Sequence, residues 1–167
     1  MRIKVLQINE LEELKKKIEH THQNMNSLSR NTVNIDHYLL LNQEHIICYD
    51  EKLEKVIDMD VSKIDSVTFS MNSRGTFIRS LIMEYTFQID LDIIYQNQKY
   101  EFEIFKPDDL SNLFAMIEKY NISYDDICGV VELYKTYPDA YKRYRYLQYH
   151  FKDIAKKYHL DNPRQEV

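Results

Sequence analysis

Between Ile35 and Phe105 the apolar residues recur at every second position in short runs, and this period constrains the fold more than any other feature of the chain. The runs are Ile35–Leu41, Glu44–Tyr49, Glu54–Asp58, Ile64–Met71, Phe77–Tyr95 and Lys99–Phe105. Alternation of this kind turns one face of each strand to a core and the other to water, the pattern of an antiparallel sheet. The breaks carry turn chemistry: Asn42-Gln43, Asp50-Glu51-Lys52, Asn72-Ser73-Arg74-Gly75 and Gln96-Asn97-Gln98. At nineteen residues Phe77–Tyr95 is longer than an ordinary strand, so a bend or bulge is expected near Tyr85 to Gln88.

Helical periods flank the sheet. Ile8, Leu11, Leu14, Ile18, Met25 and Leu28 are mostly three, four or seven apart and predict an amphipathic helix in an N-terminal unit, residues 1–30, with a polar linker over Ser27 to Asn34. Pro107-Asp108-Asp109 reads as the start of a second helix, with Leu110, Leu113, Phe114, Ile117 and Tyr120 on its apolar face. Ser123 and Asp126 suggest a capping box for a short helix from about Tyr124 to Tyr134, and a longer helix follows Pro138 to about His159. The expected class is α+β: a strongly curved antiparallel sheet with its capping helix over 35–120, an N-terminal helix, and a C-terminal helical extension over 123–160.

The segment Tyr38-Leu39-Leu40-Leu41-Asn42-Gln43-Glu44-His45-Ile46-Ile47-Cys48-Tyr49, followed by Val56-Ile57-Asp58-Met59-Asp60-Val61-Ser62-Lys63-Ile64-Asp65-Ser66-Val67, resembles the opening of bacterial pleckstrin-homology-like (PH-like) domains. In those domains a hairpin leads to a third strand, and an I-x-x-I-x-x-V stretch enters the fourth. The long hairpin and single C-terminal helix that complete them are similar to Phe77–Phe105 and Pro107–Tyr120 here. Asn42-Gln43 stands where Thr-Asn often forms the first turn, and helices are added at both ends. The resemblance covers about half the chain. It implies a half-open barrel plugged by a helix, a scaffold used to bind proteins, peptides or lipid headgroups and seldom for catalysis.

Composition narrows the function classes. Two glycines and three prolines in 167 residues leave no phosphate-cradling loop of the GxGxxG or GxxxxGK kind, which argues against nucleotide-dependent enzymes. Cys48 and Cys128 are far apart in apolar surroundings and fit reduced core residues rather than a disulfide or a CxxC metal site. With neither a signal-peptide pattern nor a membrane-length apolar run, the chain is expected in the cytoplasm. Abundant Lys, Ile, Asn and Tyr suggest an AT-rich bacterial or phage genome.

Two charged surfaces stand out. In the last hairpin Ile89, Leu91 and Ile93 share a face with Tyr100, Phe102 and Ile104, so Asp90, Asp92, Glu101 and Glu103 share the other. A turn at Gln96-Asn97 sets Asp92 opposite Glu101 and Asp90 opposite Glu103, while a shift by one residue pairs Asp92 with Glu103. Such a face is a solvated surface relieved by Lys99, Lys106, Arg74 or Arg79, a docking site for a basic partner, or a divalent-cation site. The D…ExK core of metal nucleases is not reproduced, because two residues separate Glu103 from Lys106 and their side chains point oppositely. On the last helix Ala140, Tyr144, Leu147, Phe151, Ile154 and Tyr158 form a packing seam, and Lys142, Arg145, Tyr149, Lys152 and Lys156 form a basic stripe. The stripe is a plain solvated face, docks on the chain's own acidic body, or meets nucleic-acid phosphates, an anionic membrane surface or an acidic protein. Residues 1–134 carry 23 acidic against 14 basic side chains, and residues 135–167 carry 4 against 8.

His20 and His22 are two apart and point different ways on a helix, and His37 and His45 could approach across the first hairpin with no acid or cysteine completing a set. Neither a paired nucleophile and base nor a metal-ligand set is visible, and no cofactor is implied. The chain therefore reads as a non-catalytic intracellular protein that engages another macromolecule, a protein above all, as an immunity, phage anti-defence or regulatory factor. The partner-binding candidates are Asp90, Asp92, Glu101, Glu103, Lys142, Arg145, Tyr149, Lys152 and Lys156. Two other readings stand beside it: an enzyme or metal-dependent nuclease using the acidic hairpin, and a nucleic-acid-binding protein using the basic helix. Overall acidity weighs against the latter.

Overall fold

The computed structural model describes residues 2–8, 10–16, 37–78, 82–105, 107, 109–160 and 164–165. The chain is α+β, built on one mixed sheet. Its strands are β1 (Ile3–Ile8), β2 (His37–Leu41), β3 (His45–Tyr49), β4 (Lys55–Asp60), β5 (Ile64–Ile78), β6 (Ile82–Tyr95), β7 (Gln98–Phe105), β8 (Ser123–Asp126) and β9 (Arg164–Gln165). A helix α1 is described over residues 11–16, and α2 (Ser111–Lys119), α3 (Val130–Thr136) and α4 (Ala140–Tyr158) follow.

The strand order is β4-β3-β2-β1-β7-β6-β5-β8, with β9 on β5 beyond that path. Two antiparallel meanders, β2-β3-β4 and β5-β6-β7, form as the alternating runs predict. They are not joined to each other directly. β1 lies between them and is parallel to both β2 and β7, so the sheet is mixed where an antiparallel one was expected. Residues 1–30 were expected to be an amphipathic helical unit, yet the alternation Ile3-Lys4-Val5 suits a strand, and Val5 is wholly buried. The helical pattern survives only from residue 11, and the predicted positions Ile18, Met25 and Leu28, with the linker, lie outside the described residues.

Covalent geometry dictates the curl of this sheet. β4 and β5 have five strands between them in the order, which in a flat sheet spans about 29 Å at about 4.8 Å per strand. Only the 3-10 turn Val61–Lys63 connects Asp60 to Ile64, a reach of about 14 Å. The sheet must therefore roll strongly, although β4 and β8 remain separate edges. Its concave face holds the core: Leu39, Ile46, Met59, Phe69, Leu91 and Phe102 pack with Leu113 and Met116 of α2, Val130 of α3, and Leu147 and Phe151 of α4. On the convex side, Leu11 and Leu14 of α1 cover Ile8, Leu40, Ile47 and Tyr49, a smaller second core.

Several boundaries differ from the sequence reading. β5 runs straight through Asn72–Gly75, because each of these residues pairs with β6, from Asn72 opposite Gln88 to Gly75 opposite Tyr85. The reversal falls instead between Ile78 and Ile82, and no bulge occurs at Tyr85 to Gln88; the β5–β6 register shift lies between Ile64 and Ser66. α2 starts at Ser111 rather than Pro107, since the Pro107 carbonyl accepts hydrogen bonds from the Tyr134 hydroxyl and from Arg143, while the Asp109 carboxylate takes the Ser111 amide. Residues Ser123–Asp126 are a strand on the edge of β5, not the first turn of a helix. Gly129 at φ 75° breaks any helix there, and the Asp126 carboxylate instead accepts the amides of Val130 and Val131 at the start of α3. The Gln96-Asn97 turn is as expected, with both residues at positive φ between Tyr95 and Gln98.

Candidate partner-binding surfaces

The β6–β7 register pairs Asp92 with Glu101 and Asp90 with Glu103, so the four predicted carboxylates do lie together on the convex face. Like charges across neighbouring strands need compensation, and the structure supplies it from the residue before β1, from β7 and from β5. Arg2 hydrogen-bonds Asp92 and lies 3.8 Å from Asp90. Lys99 reaches both Asp92 and Glu101 at 3.0 Å. Asn72 donates to Asp90 at 2.9 Å and to Glu103 at 3.4 Å, and Lys4 is the register partner of Glu103. Burial works against the Arg2 charge, but the hydrogen bond to Asp92 and the fields of Asp90, Asp92 and Glu101 outweigh it and hold the guanidinium above its ordinary pKa. The hydrogen bond from Lys99 in turn holds the Glu101 carboxyl below its usual range. Glu103 is only 2% exposed. Of the cations the sequence reading offered, Lys99 takes part; Arg79, Lys106 and the Arg74 side chain lie outside the described residues. Arg2 was missed, because only knowledge that β1 sits beside β7 brings it there.

The basic stripe of α4 behaves differently. Lys142, Arg145, Tyr149, Lys152 and Lys156 are all exposed, while Leu147 and Phe151 of the predicted seam are buried against Phe87 and its neighbours. Among the described residues no carboxylate lies within ion-pair distance of Lys142, Lys152 or Lys156, so the stripe is not docked on the described part of the acidic body. Tyr141 and Tyr149 are 66% and 70% exposed, and Arg145 lies between them on successive turns. Its guanidinium donates to the Tyr141 hydroxyl at 3.3 Å and sits 6.0 Å and 5.7 Å from the two ring centroids. The hydrogen bond to Tyr141 raises the Arg145 pKa. Beside this ladder, Tyr137, Tyr146 and His150 stack at centroid spacings of 4.6 and 4.5 Å. The sequence reading found Arg145 and Tyr149 but not Tyr141, although its i−4 spacing from Arg145 was available.

The histidines do not converge. The hairpin register sets Leu41 against Ile46, which puts His37 and His45 at opposite ends of the hairpin, and His45 bonds Asp58 at 2.7 Å. His20 and His22 lie outside the described residues. Among the described residues no group of three or more His, Cys, Asp or Glu side chains is arranged to hold a metal ion. Both cysteines are buried and neither is in a disulfide, and burial pushes the Cys128 thiol up to about 12. Among the described residues no helix is long and apolar enough to cross a membrane. No family model, curated protein or solved structure matches the chain.

Proposed function

We propose that this chain is a non-catalytic intracellular binding protein that engages an acidic surface of another protein through the exposed face of α4. The observation that carries the reading is the ladder Tyr141–Arg145–Tyr149, two largely exposed tyrosines held around an arginine and flanked by Lys142, Lys152 and Lys156. Tyrosine and arginine are the residue types that dominate binding hot spots, and here they stand on a rigid nineteen-residue helix whose other side is fixed in the core. The acidic hairpin face, Asp90, Asp92, Glu101 and Glu103, is the weaker candidate because its carboxylates are engaged by Arg2, Lys99 and Asn72.

The scaffold reading we favour is PH-like. Two antiparallel meanders, a strongly rolled sheet and α2 entering the concave side directly after β7 support it, and β1, α3 and α4 are additions to that plan. An immunity, phage anti-defence or regulatory role would use such a protein as a stoichiometric ligand. The test replaces Arg145 and Lys152 with Glu. Stability should change by no more than about 0.5 kcal/mol, as for isolated surface charges. The wild type immobilised on resin should retain an acidic protein from nuclease-treated lysate, releasing it as salt rises past about 0.1 M, where charges are screened beyond about 10 Å. The variant should not retain it. Retention of every partner by a folded variant at all salt concentrations removes α4 from the mechanism, and retention abolished by the nuclease alone replaces the protein partner with nucleic acid.

A further inference from the structure

The sheet ends in two edges that are finished differently. β4 is defended by charge, with Lys55 and Asp58 paired at 2.7 Å along it. β8 carries no lysine or proline and shows two large apolar side chains to water, Tyr124 at its centre and Ile127 just after it. Among the described residues β8 pairs only with β5, in parallel. The Ile127 amide donates to the Phe69 carbonyl at 3.1 Å. In a parallel ladder residues alternate in the side to which their amide and carbonyl point, so Ser123 and Asp125 face β5 while the backbone groups of Tyr124 and Asp126 point outward. A strand laid along this edge would find hydrogen-bonding groups waiting.

Beside the edge lies a cleft of about 270 Å³, far above the roughly 30 Å³ share of a single water. Phe114 and Ile117 of α2, Ile122, Tyr124 and Val131 of α3 line it, with Glu118 and Lys135 among its walls. Side chains of an added strand that point the same way as Tyr124 would enter this apolar space, and the alternate ones would pass Asp125, whose side chain is exposed on the opposite face. Asp126 is committed to the α3 amides, so Asp125 is the carboxylate open to a partner. A second copy of the chain fits poorly, because pairing β8 with its own equivalent would crowd Asp125 and Asp126 of both copies into one seam.

We infer that the free edge of β8 and the cleft beside it form a docking site for an extended segment of a partner protein in which basic and apolar residues alternate, added to the sheet as a further strand. The site is separate from the α4 surface and stands or falls without it. The probe is a fluorescein-labelled heptapeptide, Lys-Val-Lys-Val-Lys-Val-Lys, with Glu-Val-Glu-Val-Glu-Val-Glu as its charge-reversed control, measured by fluorescence anisotropy. The basic peptide should bind at least roughly tenfold tighter than the acidic one. Tyr124→Pro removes an amide that β5 does not use and should weaken binding by roughly tenfold or more. Asp125→Lys leaves the backbone intact and should erase the preference for the basic peptide. Hydrogen exchange on the unaltered protein should slow at the Tyr124 and Asp126 amides when peptide is present. Equal binding of the two peptides, binding unchanged in both variants, or unslowed exchange at those amides under saturating peptide would each overturn the assignment.

Discussion

Arg143 lies in the C-terminal helix yet is only 4% exposed, and it holds three chain segments at once. Its guanidinium stacks 3.7 Å over the Tyr134 ring and donates to the carbonyls of Tyr137 at 2.7 Å and Pro138 at 3.2 Å, with Pro107 at 3.5 Å. These are carbonyls left over by the ends of α3 and of β7, and a planar fork is the group that reaches all of them. Arg143→Ala should cost about 2–3 kcal/mol in urea unfolding, the ordinary worth of hydrogen bonds to a charged group, and Arg143→Lys should recover little of it because the stacking is lost. Asp60 acts at the same scale on the turn between β4 and β5. The Ser62 hydroxyl, the Lys63 ammonium and the Ser62 amide all bond its carboxylate and depress its pKa to about 2. A depressed carboxyl pKa stabilises the fold above its unfolded value near 4 and loses that contribution as pH falls toward 2. Asp60→Asn should therefore be less stable than the parent at neutral pH, and the two thermal midpoints should converge as pH falls from about 4 to about 2. A difference that persists unchanged at pH 2 would show that the carboxylate's charge is not its contribution.

Among the elements, α2 was legible from its apolar spacing, and Leu113 is indeed at the centre of the core, with Phe114 set edge-on to both Phe69 and Tyr134. Leu113→Ala should lower stability by about 2–5 kcal/mol in a denaturant titration. An unchanged midpoint would mean that α2 does not plug the concave face. The start of α2 was not legible, because the groups that keep Pro107 out of the helix, Tyr134 and Arg143, come from α3 and α4. β8 was misread for a related reason. Ser123-Tyr124-Asp125-Asp126 satisfies a local capping pattern, and only the vacant edge of β5 turns it into a strand. The two halves of the α4 pattern, seam and stripe, could be separated from sequence alone because a long helix imposes its own period on both.

For the whole molecule, periodicity identified the first meander, the β6–β7 hairpin and the shared face of the four carboxylates, since each depends on neighbours in sequence, but it misplaced the reversal between β5 and β6. It did not reveal that β1 joins the meanders, and so it could not reveal Arg2 among those carboxylates. Six residues of alternating character carry too little pattern to name their partners. That central position also sets a schedule. During synthesis β1 is made before the other strands of this sheet, yet its pairing with β7, Ile3 beside Phe102, has to wait until about a hundred further residues have been made. At the usual 5–20 residues per second that is a delay of roughly 5–20 s, through which β1, with Ile3 and Val5 on one face and Leu6 and Ile8 on the other, stays open on at least one edge. The nascent chain is thus exposed to misassociation at β1, and the two meanders are brought into one sheet only when the last strand of the second returns to pair with β1.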